Sequence, residues 1–260
     1  MNMSGLEISI LIPAFIAGLL VLVSHVPLGM QVLARGIVFI DLAIAQIAGL
    51  GVIGADLMGF EPQGFGVQLA AVSAALLGGL WLTYAEKRWP EVQEALIGVL
   101  FVLAATGSIL LLAHNPHGGE HLKDLLVGQI LWVSYAQLPL AALVSIGVAL
   151  LWFTMRQRFG RAGFYILFAF AVTASVQLVG IYLVFASLIV PAMATRLYPE
   201  SKRLSVAYAL GAASYAVGLI GSAWGDLPSG AVIVWAMALL GLAVYAFGPR
   251  KMNGVSEMQR

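Results

Sequence analysis

The sequence contains no cysteine, which excludes disulfides, thiolate metal ligands and cysteine nucleophiles. Charge is nearly as scarce: 10% of residues are charged, against about 25% in an ordinary soluble domain. The net charge of +1 provides no field to attract nucleic acid or an acidic partner. No Gly-x-x-x-x-Gly-Lys-Ser/Thr loop occurs, so an ATP-driven step would need a separate nucleotide-binding polypeptide. No Gly-x-Ser-x-Gly elbow or His-Glu-x-x-His helix occurs either, which weighs against a membrane hydrolase. Residues 1–9 hold one acid, Glu7, and no Lys or Arg. A signal peptide needs a basic start, so the apolar run that follows is expected to be a true span.

What is abundant is apolar surface, at 61% of residues. Apolar segments fall at about 7–27, 36–57, 66–85, 93–113, 125–153 with a break near Pro139, 163–194, 204–223 and 230–248. None alternates polar and apolar residues as a β-barrel strand would. The expected fold is all-α: a polytopic transmembrane helical bundle forming one membrane domain over 1–260. Basic residues favour cytoplasmic span ends. Arg35, Lys87/Arg88, Arg156/Arg158/Arg161, Arg196/Lys202/Arg203 and Arg250/Lys251 alternate with connections holding Asp56 and Glu61, His114 to Asp124, and Asp226. This alternation places the N-terminus outside and the C-terminus in the cytoplasm. Arg161 and Arg196 both belong inside, yet some 35 residues, about 50 Å of helix, separate them. That is too long for one span and short for two. A full span followed by a re-entrant half-helix ending near Pro191 fits both clusters, giving about eight spans plus the half-helix. Irregular backbone at membrane depth needs protein or a cavity around it, a geometry of transporters. Small residues at Gly211/Ala212/Ala213 and Gly218/Gly221/Ser222 suit close helix packing.

Polar residues inside spans are costly and are therefore functional candidates. They are Asp41, Gln46, Gln68, Glu94, Gln129 and Gln177. Asp41 and Gln46 lie about 140° apart on the second span; each either lines an ion path or makes an interhelical hydrogen bond. Glu94 suits a helix N-terminus. The outer connection 114–121 holds His114, His117, Glu120 and His121, with Asp124 just after. Imidazole and carboxylate together suit zinc, manganese or iron, and the Gly-Gly pair would let the ligands converge as a mouth for metal capture; the alternative is a merely solvated loop. His25, near Pro27, is expected to cap or pack.

The stretch Val179-Gly180-Ile-Tyr-Leu-Val-Phe-Ala-Ser-Leu-Ile-Val-Pro191-Ala-Met-Ala-Thr-Arg196-Leu resembles a signature segment of ABC-type zinc/manganese/iron importer permeases. In chain order, Pro27-Leu28-Gly29 with Arg35 looks like that family's first cytoplasmic turn, and Glu94-Ala-Leu-Ile-Gly98 like its acidic helix start. Leu125-Leu-Val-Gly128-Gln-Ile-Leu and Asp226-Leu-Pro228-Ser-Gly230 look like two further family segments. The resemblance implies a permease subunit of the bacterial inner membrane that binds no cofactor and moves a divalent metal ion by alternating access. Its implied partners are a second permease copy, two copies of an ABC ATPase subunit and an extracytoplasmic metal-binding protein, all in a lipid bilayer and without nucleic acid. The coupling element touching the ATPase would run from Ala192 through Thr195 and Arg196 to Lys202 and Arg203.

The sequence departs from the family at the second span, where Asp-x-x-x-His is usual. Anchored on Gly51, Leu42 stands at the Asp position and Gln46 at the His position, with Asp41 displaced by one. Glutamine offers a carbonyl oxygen but no imidazole. A metal chelate thus becomes a possible cargo, and an ATP-independent carrier using Asp41 as a proton relay is a second hypothesis. A membrane metalloenzyme built on the histidine-rich loop is a third.

Overall fold

The computed structural model describes residues 5–61, 64–155, 158 and 160–249. Among the described residues, ten α-helices follow one another: α1 (Gly5–Arg35), α2 (Ile40–Leu57), α3 (Phe65–Arg88), α4 (Gln93–Leu112), α5 (Gly118–Val127), α6 (Leu138–Met155), α7 (Arg161–Val179), α8 (Ile181–Ala194), α9 (Glu200–Gly225) and α10 (Ser229–Phe247). Two short 3-10 turns, Pro90–Val92 and Ile130–Trp132, join them. Among the described residues, eight helices are long and apolar enough to cross a membrane, and α8 is a shorter apolar helix beside them. The fold is the expected all-helical membrane bundle. The basic residues Arg156, Arg250 and Lys251 lie outside the described residues, as does the side chain of Glu7.

Small residues set the neighbours. Gly51 on α2 lies against Ala70 and Ala74 of α3, and Gly78 of α3 lies against Ile47 of α2. Gly79 of α3 faces Tyr165 of α7, Gly211 of α9 takes Leu22 of α1, and Gly218 of α9 takes Ile233 of α10. Without a hydrophobic force between helices in lipid, such close backbone approach supplies the dispersion contacts that hold them. The result is two groups of helices: α2, α3, α4 and α7 in one, and α1, α8, α9 and α10 in the other, with α6 against α1 and α7. These contacts also fix direction. Arg35, Lys87, Arg88, Arg158, Arg161, Arg196, Lys202 and Arg203 all sit at one end of the bundle, and Asp56, Glu61, the 114–124 region and Asp226 at the other.

The awkward interval divides as a full helix and a short one, and the divider is Gly180. α7 has 19 residues and α8 has 14, or about 28 Å and 21 Å against a hydrocarbon core of about 30 Å. Gly180 has φ +81°, which an L side chain rarely adopts, and packs backbone to backbone on Gly128, whose φ is +74°. Gly230, at the start of α10, lies on the carbonyl of Val127. Three glycines from three separate family-like segments thus meet at one junction, at the end of the bundle away from the basic residues. The short helix ends near Pro191 as expected: the proline lies in the last turn of α8, which closes at Ala194.

Three expectations about boundaries are corrected. α1 runs through Pro27 to Arg35, so Pro27-Leu28-Gly29 is helix and the turn comes after Arg35. Proline leaves the carbonyl four residues earlier without its donor, and the Tyr208 hydroxyl donates to that Val23 oxygen at 2.9 Å. The 125–153 segment breaks over 128–137, upstream of Pro139, which lies in the first turn of α6. The Gly118-Gly119 pair is not a free turn but opens helix α5.

Candidate functional site

Asp41 is the second residue of α2 and is completely buried. Neither carboxylate oxygen has a hydrogen-bond partner among the described residues. A buried carboxylate without a partner is a costly arrangement, and nothing in local helix formation requires it. Gln46, further along α2, is also buried and lies about 140° around the helix from Asp41. Leu42, one turn before Gln46, opens onto an apolar groove of about 580 Å³ between α2 and α4, lined also by Phe39, Gly98, Val99 and Phe101. Glu94 sits in the first turn of α4, and its Oε1 accepts the backbone N–H of Phe39, the N-cap of α2, at 3.3 Å. It ties the start of α2 to the start of α4.

Sequence reasoning passed over a polar group at the basic end of the bundle. Glu86 of α3 accepts an ion pair from Arg161 of α7 at 3.3 Å. The amide of Gln93 donates to the Tyr165 hydroxyl at 2.8 Å. The Arg35 guanidinium lies 4.3 Å from the centre of the Phe164 ring, and both Arg35 and Glu86 flank Tyr165. One buried nitrogen of Arg35 and one buried oxygen of Glu86 lack hydrogen-bond partners among the described residues. The available signal was an acid, Glu86, directly preceding Lys87 and Arg88 at a span end. Toward the other end of the same two helices, Gln68 of α3 hydrogen-bonds Gln177 of α7, an interhelical pair. His25 is buried, with Nδ1 2.9 Å from the Val21 carbonyl oxygen; it packs within α1.

At the opposite end, His117 Nδ1 lies 3.4 Å from Glu120 Oε2, with both side chains largely exposed. The Asn115 side chain accepts the His117 backbone N–H at 2.9 Å. His114 is exposed and the side chain of His121 lies outside the described residues. Among the described residues, no three His, Asp or Glu side chains come together as a metal group.

The segment after α8 is well held. Thr195 Oγ1 donates to the Pro191 carbonyl at 2.7 Å, and Arg203 Nη2 reaches the Ala192 carbonyl at 3.5 Å. Arg196 Nη2 donates to the Tyr245 hydroxyl at 3.1 Å. Ala192 and Thr195 are buried, whereas Arg196 and Lys202 are exposed.

A polytopic bundle with a broken, glycine-divided helix, a buried unpartnered carboxylate and one strongly basic end has the features of a membrane transport protein. The chain belongs to the ABC 3 transport family, whose model matches residues 7–164 and 155–248; it is a multi-pass membrane permease of an ABC transporter, a class that works with ATPase and substrate-binding partners. In structure it is similar to PsaBC from Streptococcus pneumoniae, solved in complex with a Fab, with a TM-score of 0.75, 19% identity, and coverage of 95% of this chain and 94% of that one. It is also similar to a transporter described as metal-chelate type in an inward-facing conformation, with a TM-score of 0.66, 18% identity, and coverage of 90% and 85%. No curated protein matches it in sequence.

Proposed function

We propose that this chain is the permease subunit of an ATP-driven importer of divalent transition-metal ions, zinc foremost, with manganese and iron as further cargoes. It acts by alternating access, as one permease domain paired with a second copy, two ATPase subunits and an extracytoplasmic metal-binding protein. The basic end of the bundle faces the cytoplasm of a bacterial inner membrane, by the preference of Lys and Arg for that side. The observation that carries the reading is Asp41: a buried carboxylate with no internal partner is suited to receive a passing cation. Gln46 adds a carbonyl oxygen to the same helix. His114, His117, Glu120 and His121 form the outer mouth, where an exposed imidazole and carboxylate offer transient contact without a closed site. Ala192, Thr195, Arg196, Lys202 and Arg203 form the element that meets the ATPase.

A second reading has its own support. Leu42 and Gln46 stand where the resembling family has Asp and His, and Leu42 lines an apolar groove. An organic metal chelate suits such a surface better than a bare ion, and one structural neighbour is described as metal-chelate type.

The test is uptake by the reconstituted complex with its ATPase and binding protein, with zinc, manganese and iron in competition. Asp41→Ala should abolish most ATP-dependent uptake of the free ion. Undiminished uptake in that variant would remove Asp41 from the path, and competition by a chelate alone would favour the second reading.

A further inference from the structure

The connection between α8 and α9 does not hang free between its two helices. It is strapped to the last turn of α10. The Arg196 guanidinium lies 5.2 Å from the centre of the Tyr245 ring while its Nη2 donates to the Tyr245 hydroxyl at 3.1 Å. One side chain thus holds the cation by its ring face and by its oxygen. Tyr198 closes the strap from the other side, its hydroxyl donating to the Val244 carbonyl at 3.4 Å. Val244 lies in the last turn of α10, where carbonyls have no helical donor of their own. Above the strap, the bare face of Gly241 admits Val190 and Ala194, so α8 and α10 lie close along the last turns of both.

This arrangement has a mechanical consequence. A connection fixed only at its ends would pass a push or pull to α8 and α9. With the strap in place, the same displacement reaches α10 as well, so that α8 and α10 move as one body. α8 leads from there to the Gly180 junction, and α10 begins at Gly230 beside the same junction. The two helices therefore connect the strap to one outer point by parallel routes.

We infer that Tyr245 is a positioning residue for energy coupling: it holds Arg196 and the 195–199 connection on α10, so that movement of the ATPase is delivered to α8 and α10 together. The inference rests on the proposed role of residues 192–203 as the ATPase-contacting element. Arg196 is exposed and Tyr245 is 38% exposed, and such contacts add little to stability. Loss of the strap therefore shows in coupling and not in folding.

The experiment uses the whole complex, permease with ATPase and binding protein in liposomes, and measures metal uptake and phosphate release together. The probe is zinc, manganese or iron(II), whichever the wild type moves. Tyr245→Phe keeps the ring and removes the hydroxyl; Tyr245→Ala removes both. Ions moved per ATP hydrolysed should fall in that order, by about five-fold or more for Tyr245→Ala, while the amount and melting temperature of the assembled complex stay at wild-type levels. Tyr198→Phe, which cuts only the second tie, should give an intermediate loss. An unchanged ratio in Tyr245→Ala overturns the inference, as does a proportional fall in uptake and hydrolysis. A wild-type complex that moves none of the three ions with ATP overturns the importer reading itself, and this is seen before any variant is compared.

Discussion

Gly180→Ala places a methyl group where α7 turns into α8 and where the backbone of the α5–α6 connection already lies. Two costs add. The first is conformational: at φ +81° and ψ 162° the residue occupies a region held almost only by glycine, at about 1–3 kcal/mol for any other residue. The second is steric, because an ideal Cβ would lie 2.6 Å from the Cα of Gly128 and from the carbonyl carbon of Val127. Those are backbone atoms, which cannot rotate away, and overpacking of this kind costs about 1–3 kcal/mol. Together they give about 2–6 kcal/mol, or roughly 5–20 °C in melting temperature for a chain of this size. The assay is thermal denaturation of the detergent-solubilised protein, followed by loss of its monodisperse size-exclusion peak. Gly147→Ala is the internal control: Gly147 lies in the middle of α6 with open space where its Cβ would be. That variant should melt at or slightly above wild type, since alanine in a helix is favoured over glycine by roughly 0.5–1 kcal/mol. If Gly180→Ala melts with the wild type, or Gly147→Ala falls as far, the junction does not constrain the fold as described.

Two further outcomes follow from the hydrogen bonds. Ser187 Oγ and the Tyr215 hydroxyl are 2.9 Å apart and buried, joining α8 to α9; Tyr215→Phe should cost about 0.6–1.7 kcal/mol, the range of interhelical bonds in membranes. The Ser187→Ala/Tyr215→Phe double variant should melt close to Tyr215→Phe alone, and full additivity would show that the two groups do not interact. At the end opposite the basic one the His117–Glu120 pair is exposed, so His117→Ala should change stability by less than about 0.5 kcal/mol. Its expected effect is a raised KM for metal uptake with kcat preserved, and an unchanged KM would take His117 out of the capture mouth.

Much of the fold was legible because each span answers to the bilayer one segment at a time. The interval between Arg161 and Arg196 shows this: its length and its two basic ends required a full helix and a short return, and α7 and α8 divide it so. The short helix ends near Pro191 as expected, at Ala194, but no local pattern marked Gly180 as the residue that divides the two helices. Proline is tolerated inside a membrane helix when other groups satisfy the freed carbonyl, as Tyr208 does for Val23 opposite Pro27. No local pattern reveals a donor from a helix 185 residues away in the chain.

The candidate site was less legible. Asp41 stood out as a carboxylate in an apolar run, yet its position in the first turn of α2 and the absence of any internal partner became visible only with the helices assembled. The Glu86–Arg161 pair, the Gln93–Tyr165 bond and the Arg196–Tyr245 strap went unnoticed for the same reason. Each joins residues far apart in the chain, and each residue alone looks like ordinary span-end chemistry.

By itself, then, the sequence determined the solvent and the spans: with 61% apolar residues, 10% charged and no cysteine, a helical membrane bundle with most of its basic residues at one end follows from what hydrocarbon excludes. Only the tertiary structure decided which polar groups meet, where the chain breaks and what holds the connection after α8. Those depend on how each helix is rotated and which neighbour it meets, and contacts between distant segments set both.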